Sequence, residues 1–171
     1  GLAARAEFVV TADLSRGRIG RIRQNVRRMG QEGRVALAVA DALQPPFMPA
    51  DAVLLDAPCT GTGTFRRHPD GRWRVGPDAL LELVQLQREL LDAAAPLVRP
   101  GGVLIYATCS LEPEENADQV ERFLERHAGF VRDPRPGVVD ASVLSDDGAL
   151  QVLPQRQGVD GSFAVRLRRT D

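Results

Sequence analysis

Two short runs carry the residues best suited to chemistry: Asp56-Ala57-Pro58-Cys59 and Thr108-Cys109-Ser110. They hold the only two cysteines of the 171-residue sequence. Each follows a short apolar run, Ala52-Val53-Leu54-Leu55 and Val103-Leu104-Ile105-Tyr106-Ala107. Runs of that length and composition suit strands buried on both faces. A helical stretch, roughly Asp78 to Val98, lies between them. Strand, helix, strand predicts a right-handed crossover and a parallel pair. Adjacent strands lie about 4.8 Å apart, so both cysteines would leave the sheet at the same carboxyl edge, where open α/β sheets bind their ligands.

Four readings of the cysteines compete. Inert buried thiols are the commonest case for this residue type. A disulfide is at odds with a cytosolic chain. Zinc wants about four ligands, and two Cys with two His at these spacings make a poor cage, so no metal is expected. The fourth reading is a nucleophile. Pro58 stiffens the approach to Cys59, and Thr108 and Ser110 flank Cys109 with hydroxyls, an odd setting for an inert core position.

Acidic residues close the neighbouring strands as well. Asp13 follows the run Phe8-Val9-Val10-Thr11-Ala12, and Asp41 follows Val35 to Val39. A carboxylate at such a strand end can accept from vicinal ribose hydroxyls. Either residue alone reads equally as a turn or cap residue. In register with Asp56, the three together point to a nucleoside site. Phosphate-loop signals are weak: Arg66 stands where a third glycine would follow Gly61-Thr62-Gly63, and no Walker sequence occurs.

Composition sets the frame. Apolar residues make up 43% and charged residues 26%, as in an ordinary globular domain, and the length suits one domain spanning 1–171. No stretch is apolar enough to span a bilayer. The cytoplasm is the expected location. Every basic side chain other than His is Arg, which removes lysine-based covalent catalysis from this chain and suits phosphate and stacked-base contacts.

The elements follow in order. Gly1 to Ala6 read as a helical tail. Ser15 can cap a helix that runs to about Met29 and stops at Gly30. Gln44 to Pro49 is a connection, and Gly61 to Gly76 a Gly/Arg loop. Pro96 should disturb the last turn of the long helix, and Pro100-Gly101-Gly102 should turn the chain into the second cysteine strand. Pro113 opens another helix, with Glu114 and Glu115 suited to its dipole and Val120, Phe123, Leu124 and His127 on its buried side. Asp133 to Asp147 reads as loop. Leu150 to Leu153 and Phe163 to Leu167 read as two last strands joined by a Gly-rich turn. Alternating strands and helices predict a doubly wound α/β fold.

Leu55-Asp56-Ala57-Pro58-Cys59-Thr60-Gly61-Thr62-Gly63 resembles the motif Asp-Ala-Pro-Cys-Ser-Gly-x-Gly of the RNA cytosine-carbon-5 methyltransferases that use S-adenosylmethionine. Tyr106-Ala107-Thr108-Cys109-Ser110-Leu111, followed by Pro113-Glu114-Glu115-Asn116, resembles that family's Tyr-x-Thr-Cys-Ser. Arg66-Arg67-His68-Pro69-Asp70, with Trp73, is similar to the bacterial ribosomal branch, RsmB/Sun-like. Leu153-Pro154-Gln155-Arg156 through Gly158-Val159-Asp160-Gly161 resembles its closing stretch, with Gln155 and Ser162 departing from the usual His and Phe.

The resemblance implies a Rossmann-like methyltransferase fold, mostly parallel, with a carboxyl-terminal antiparallel strand. The family's Gly-rich cofactor loop, Ala-Pro-Gly-Gly-Lys-Thr, is not in this sequence. The chain therefore reads as the carboxyl-terminal part of a longer protein, lacking the first strand and expected to bind cofactor poorly by itself. By the resemblance Cys109 adds to cytosine carbon 6, Cys59 assists release, and Asp56 holds the base edge. Asp13, Asp41, Asp56 and Pro58 serve S-adenosylmethionine. Arg66, Arg67, His68, Arg72 and Trp73 face RNA, and the implied partner is small-subunit rRNA. Two other functions stay open: a non-catalytic RNA-binding or assembly fragment of the same fold, and a small-molecule methyltransferase.

Overall fold

Alternating burial makes Val9–Asp13 a strand, β1, with one side of the ribbon turned inward. Ser15 then caps helix α1 (Arg16–Arg28), its hydroxyl accepting from the Arg18 N–H. Ile19, Ile22 and Val26 fall on one side of α1 at three- and four-residue spacing, and Ile19 is buried. Arg16, Arg18, Arg21, Arg23, Arg27 and Arg28 are exposed. Strand β2 (Val35–Val39) pairs in parallel with β1, Val9 opposite Val35 and Asp13 opposite Val39. These elements belong to the first of two compact units, which ends at Phe47; the second begins at Met48. The computed structural model describes residues 6–73, 75–134 and 139–171. The helical tail expected at the start falls almost wholly on residues 1–5, outside the described residues.

The second unit begins with β3 (Ala50–Asp56). Two short 3-10 turns, Thr62–Thr64 and Pro69–Trp73, occupy the stretch expected to be plain loop. Helix α2 (Pro77–Ala94) follows, with Pro77 in its first turn as the sequence predicts. It ends earlier than expected. Pro96 has no N–H to continue the ladder, so Ala95–Leu97 tightens into a 3-10 turn. Val98 then already belongs to strand β4 (Val98–Thr108). The Pro100-Gly101-Gly102 segment lies within β4 as an irregularity, where the register against β3 slips between Ala50 and Ala52.

Pro113–Glu115 forms a 3-10 turn, so helix α3 starts only at Ala117 and runs to Arg126. Strand β5 (Phe130–Arg132) has no counterpart in the sequence reading. Ala141–Val143 is a further 3-10 turn in the segment read as loop, of which residues 135–138 lie outside the described residues. Then come β6 (Leu150–Val152), the short helix α4 (Pro154–Gln157) in the Gly-rich connection, and β7 (Ser162–Arg169).

The sheet of this unit has the order β3-β4-β7-β5, with β6 also paired to β7. β3 and β4 run parallel; β7 runs antiparallel to β4, β5 and β6. One side of the sheet is the core. Leu104 and Tyr106 from β4 and Phe163, Val165 and Leu167 from β7 meet Leu91 and Ala94 of α2 and Val120 and Phe123 of α3. Phe123 stacks on His127 with centroids 4.4 Å apart and meets Phe130 edge-on. Full burial of such side chains is worth roughly 1.5–3 kcal/mol each. No helix among the described residues is long and apolar enough to cross a membrane.

Candidate active site

Parallel register brings both cysteine loops to one edge. Leu55 lies opposite Tyr106 and Asp56 opposite Ala107. The Ala57 N–H extends the ladder, donating to the Ala107 carbonyl at 2.9 Å. Past this point Gly61 takes a left-handed conformation, φ 70°, which only glycine adopts freely. The Gly63 N–H donates to the Cys109 carbonyl at 3.0 Å, and the Gly161 N–H donates to the Gly63 carbonyl at 2.8 Å.

The two sulfurs sit 3.3 Å apart. Both thiols are free, Cys59 half-buried and Cys109 exposed. The hydrogen bond from Cys59 lowers the Cys109 pKa to about 7, against burial and the negative charges of Asp56 and Glu115. The same bond pushes Cys59 upward, and burial adds to it. Of the pair, Cys109 is the more readily ionised thiol and Cys59 the one that keeps its proton. An exposed thiolate beside a protonated thiol is equipped for nucleophilic attack followed by proton transfer.

Buried polar groups hold the loops from below. One Glu115 carboxylate oxygen accepts from the Thr60 N–H and from Gln87 Nε2, each at 2.9 Å. The other accepts from the Thr60 hydroxyl. Gln87 Nε2 also donates to the Pro58 carbonyl at 2.8 Å. Thr108 donates to Asn116 Oδ1 at 2.6 Å, and Asn116 Nδ2 donates to the Ser110 carbonyl at 3.0 Å. Tyr106 donates to the Glu115 carbonyl at 2.6 Å.

Cys59, Cys109, Asp56 and Pro58 therefore share one edge, with Asp56 and Pro58 exposed. Asp13 and Asp41 belong to the first unit. Asp13 accepts from the Ser15 N–H and from Arg18, and Asp41 accepts from the Leu43 N–H, the turn geometry that the sequence also allows for both. Arg66, Arg67, His68, Arg72 and Trp73 are all exposed. Arg67 pairs with Asp160 at 3.1 Å, and Arg72 donates to the Pro69 carbonyl. Sequence reasoning misses Glu115, Gln87 and Asn116 as site residues. Gln87 carries a usable signal: a polar side chain on the stripe formed by Leu80, Val84, Leu91 and Ala94. Among the described residues no group of three or more His, Cys, Asp or Glu could hold a metal.

Known proteins are similar to this chain over almost all of its length. The sequence model of the family described as 16S rRNA methyltransferase RsmB/F matches residues 1–168. The ribosomal RNA small subunit methyltransferase B of Photorhabdus laumondii is 36% identical over 165 residues, covering 94% of this chain and 36% of that protein. The crystal structure of PH0851 superposes with a TM-score of 0.85 at 39% identity, covering 95% of this chain and 37% of the other. NSun6 from Pyrococcus horikoshii, solved with SFG, gives 0.83 at 27% identity, covering 96% and 42%. The chain spans about a third of the length of the curated relatives it matches. Its fold is the Rossmann-like methyltransferase fold of these neighbours. By the family match over nearly its whole length, the chain belongs to the RsmB/F family of 16S rRNA methyltransferases.

Proposed function

We propose that this chain carries the chemistry that methylates carbon 5 of a cytosine in small-subunit rRNA, using S-adenosylmethionine and a covalent bond between Cys109 and the base. The observation that carries the reading is the 3.3 Å approach of two unlike thiols at the carboxyl edge of a parallel strand pair. Family membership supports the substrate class, and SFG, an analogue of the cofactor, in NSun6 supports the methyl donor.

Cytosine carbon 5 is a weak nucleophile. Addition of the Cys109 thiolate to carbon 6 makes the ring an enamine, splitting one hard step into easier ones. The cofactor, when bound, supplies an electrophilic methyl group. Once Cys109 is a thioether it no longer carries the charge that holds the proton on Cys59. Cys59 then gives its proton to water and, as a thiolate, takes the carbon 5 proton; the C–H electrons restore the carbon 5–carbon 6 double bond and Cys109 leaves carbon 6 as a thiolate. Asp56, exposed at the end of β3, meets the base edge. The target base leaves its stack to reach this edge.

The acidic residues retain capacity for a cofactor. Each carboxylate oxygen offers two lone pairs, so Asp13 can accept from ribose hydroxyls beside its bonds to Ser15 and Arg18, and Asp41 from an adenine amino group beside its bond to Leu43. Asp56 and Pro58 are the cofactor candidates of the second unit.

The test supplies methyl-labelled cofactor and unmodified small-subunit rRNA to the complete protein, with its Gly-rich cofactor loop, and maps the label. Label on cytosine carbon 5 is expected. RNA binding without label would favour a non-catalytic RNA-binding fragment, and label confined to a small molecule would overturn the RNA reading.

Arg66, Arg67, His68, Arg72 and Trp73 serve RNA in this reading, the arginines as phosphate contacts that position without specifying. Replacing Arg66 and Arg67 by Ala should flatten the slope of log affinity against log salt by about 1 per lost contact. An unchanged slope would remove them from the interface.

A further inference from the structure

We propose that Glu115 is a positioning residue whose buried carboxylate clamps the Cys59 loop to the Cys109 loop and so holds the two sulfurs in contact. This deepens the proposed function, on which it rests for its catalytic meaning but not for its geometry. Glu115 is 0% exposed, and no ion pair reaches it among the described residues. Its charge is met by neutral donors alone: the Thr60 N–H and hydroxyl, and Gln87. Thr60 is the residue after Cys59, and Gln87 grips the Pro58 carbonyl on the other side of that cysteine. The loop bearing Cys59 is thereby held at both flanks.

On its own loop, Glu115 is tied to β4 through the Tyr106 hydroxyl. A chain of hydroxyls closes the circuit. With the Thr60 proton committed to Glu115, Ser110 lies 3.2 Å from Thr60 and 3.4 Å from Thr62. Ser110 and Thr62 in turn accept from the N–H groups of Glu112 and Leu111. Ser110 follows Cys109 directly. A carboxylate only accepts, so every donor must face it and alternative pairings are excluded.

The test reads the thiols directly. Alkylation of Cys109 is followed against pH, with the modified residue located by mass spectrometry, in the wild type and in Glu115→Ala, Glu115→Gln and Thr60→Val. The wild-type midpoint should lie near pH 7. Glu115→Ala should move it toward the ordinary thiol value of about 8.5 and slow the reaction about threefold at pH 7, the smaller thiolate fraction being partly offset by a more nucleophilic thiolate, because Cys59 no longer donates. Glu115→Gln should lie at or slightly below the wild-type midpoint, since its amide oxygen can still accept both N–H groups while the negative charge that opposes Cys109 ionisation is gone. Thr60→Val keeps the backbone bond and should shift the midpoint part of the way.

A merely structural role would lower the melting temperature and leave the midpoint in place. A wild-type midpoint in folded Glu115→Ala overturns the proposal; if that variant does not fold, an unshifted Thr60→Val does so. The assay needs neither RNA nor cofactor, so failure of methyl transfer leaves it standing, and failure of the clamp leaves methyl transfer to be judged separately.

Discussion

Cys109→Ala abolishes both methyl transfer and any covalent link to RNA, whereas Cys59→Ala leaves the protein joined to its substrate. That is the expected result in the complete protein, with its cofactor loop in place. The two sulfurs are in contact, yet their environments divide the work. Without Cys109 no thiolate can add to carbon 6, and carbon 5 is never activated. Without Cys59, addition and methyl transfer proceed, but proton removal from carbon 5 stalls and the thioether persists. Groups acting at separate steps need not give matching losses. The measurement is a denaturing gel of protein, RNA and cofactor, run with and without reductant. A slow band that resists reductant, seen with Cys59→Ala and absent with Cys109→Ala, supports the assignment, because reductant cleaves disulfides and not thioethers. A band seen only with Cys109→Ala reverses the roles. Methylation retained by both variants makes the cysteines structural.

The second large effect comes from a residue with no side chain. A Cβ on Gly63 would lie 2.5 Å from the Gly161 carbonyl oxygen and 2.8 Å from that of Cys109. Both are backbone atoms and cannot swing aside, so Gly63→Ala must move a strand end or a cysteine loop. Overpacking of this kind costs about 1–3 kcal/mol, or roughly 2–4 °C in Tm per kcal/mol for a chain of this size. Because the displaced carbonyl belongs to Cys109 itself, activity should fall further than stability. Gly20→Ala is the contrast. Gly20 lies within α1 with open space around it, and alanine there should stabilise by about 0.5–1 kcal/mol. Thermal melts of both variants decide the matter; a Gly63→Ala variant that melts at or above the wild-type temperature would refute the packing argument.

Much of the fold is legible in the sequence because local signals and tertiary structure agree. The run Val35 to Val39 and the Ser15 cap declare their elements directly, and two apolar runs flanking a helix suffice to bring the cysteines to one edge. What stays hidden depends on distant contacts. Val98 continues an apolar helical stripe in sequence, yet pairing with Ala50 draws it into β4. Phe130–Arg132 is too short to show a period and becomes a strand only through β7. Glu115 looks like an ordinary acidic residue at a helix start. Its burial is set by Thr60 and Gln87, which no local pattern connects to it.

The hydrogen bond from Gly161 to Gly63 has a consequence for the order of synthesis. Both thiols are made well before Gly161 and the strand that follows it. A nascent chain that has emerged only through α3 carries both sulfurs, but it lacks β7 beside β4 and the bond that closes the Gly63 turn. Closing so distant a contact has to wait for its last partner. The Gly63 turn is therefore closed only once Gly161 and β7 have left the ribosome.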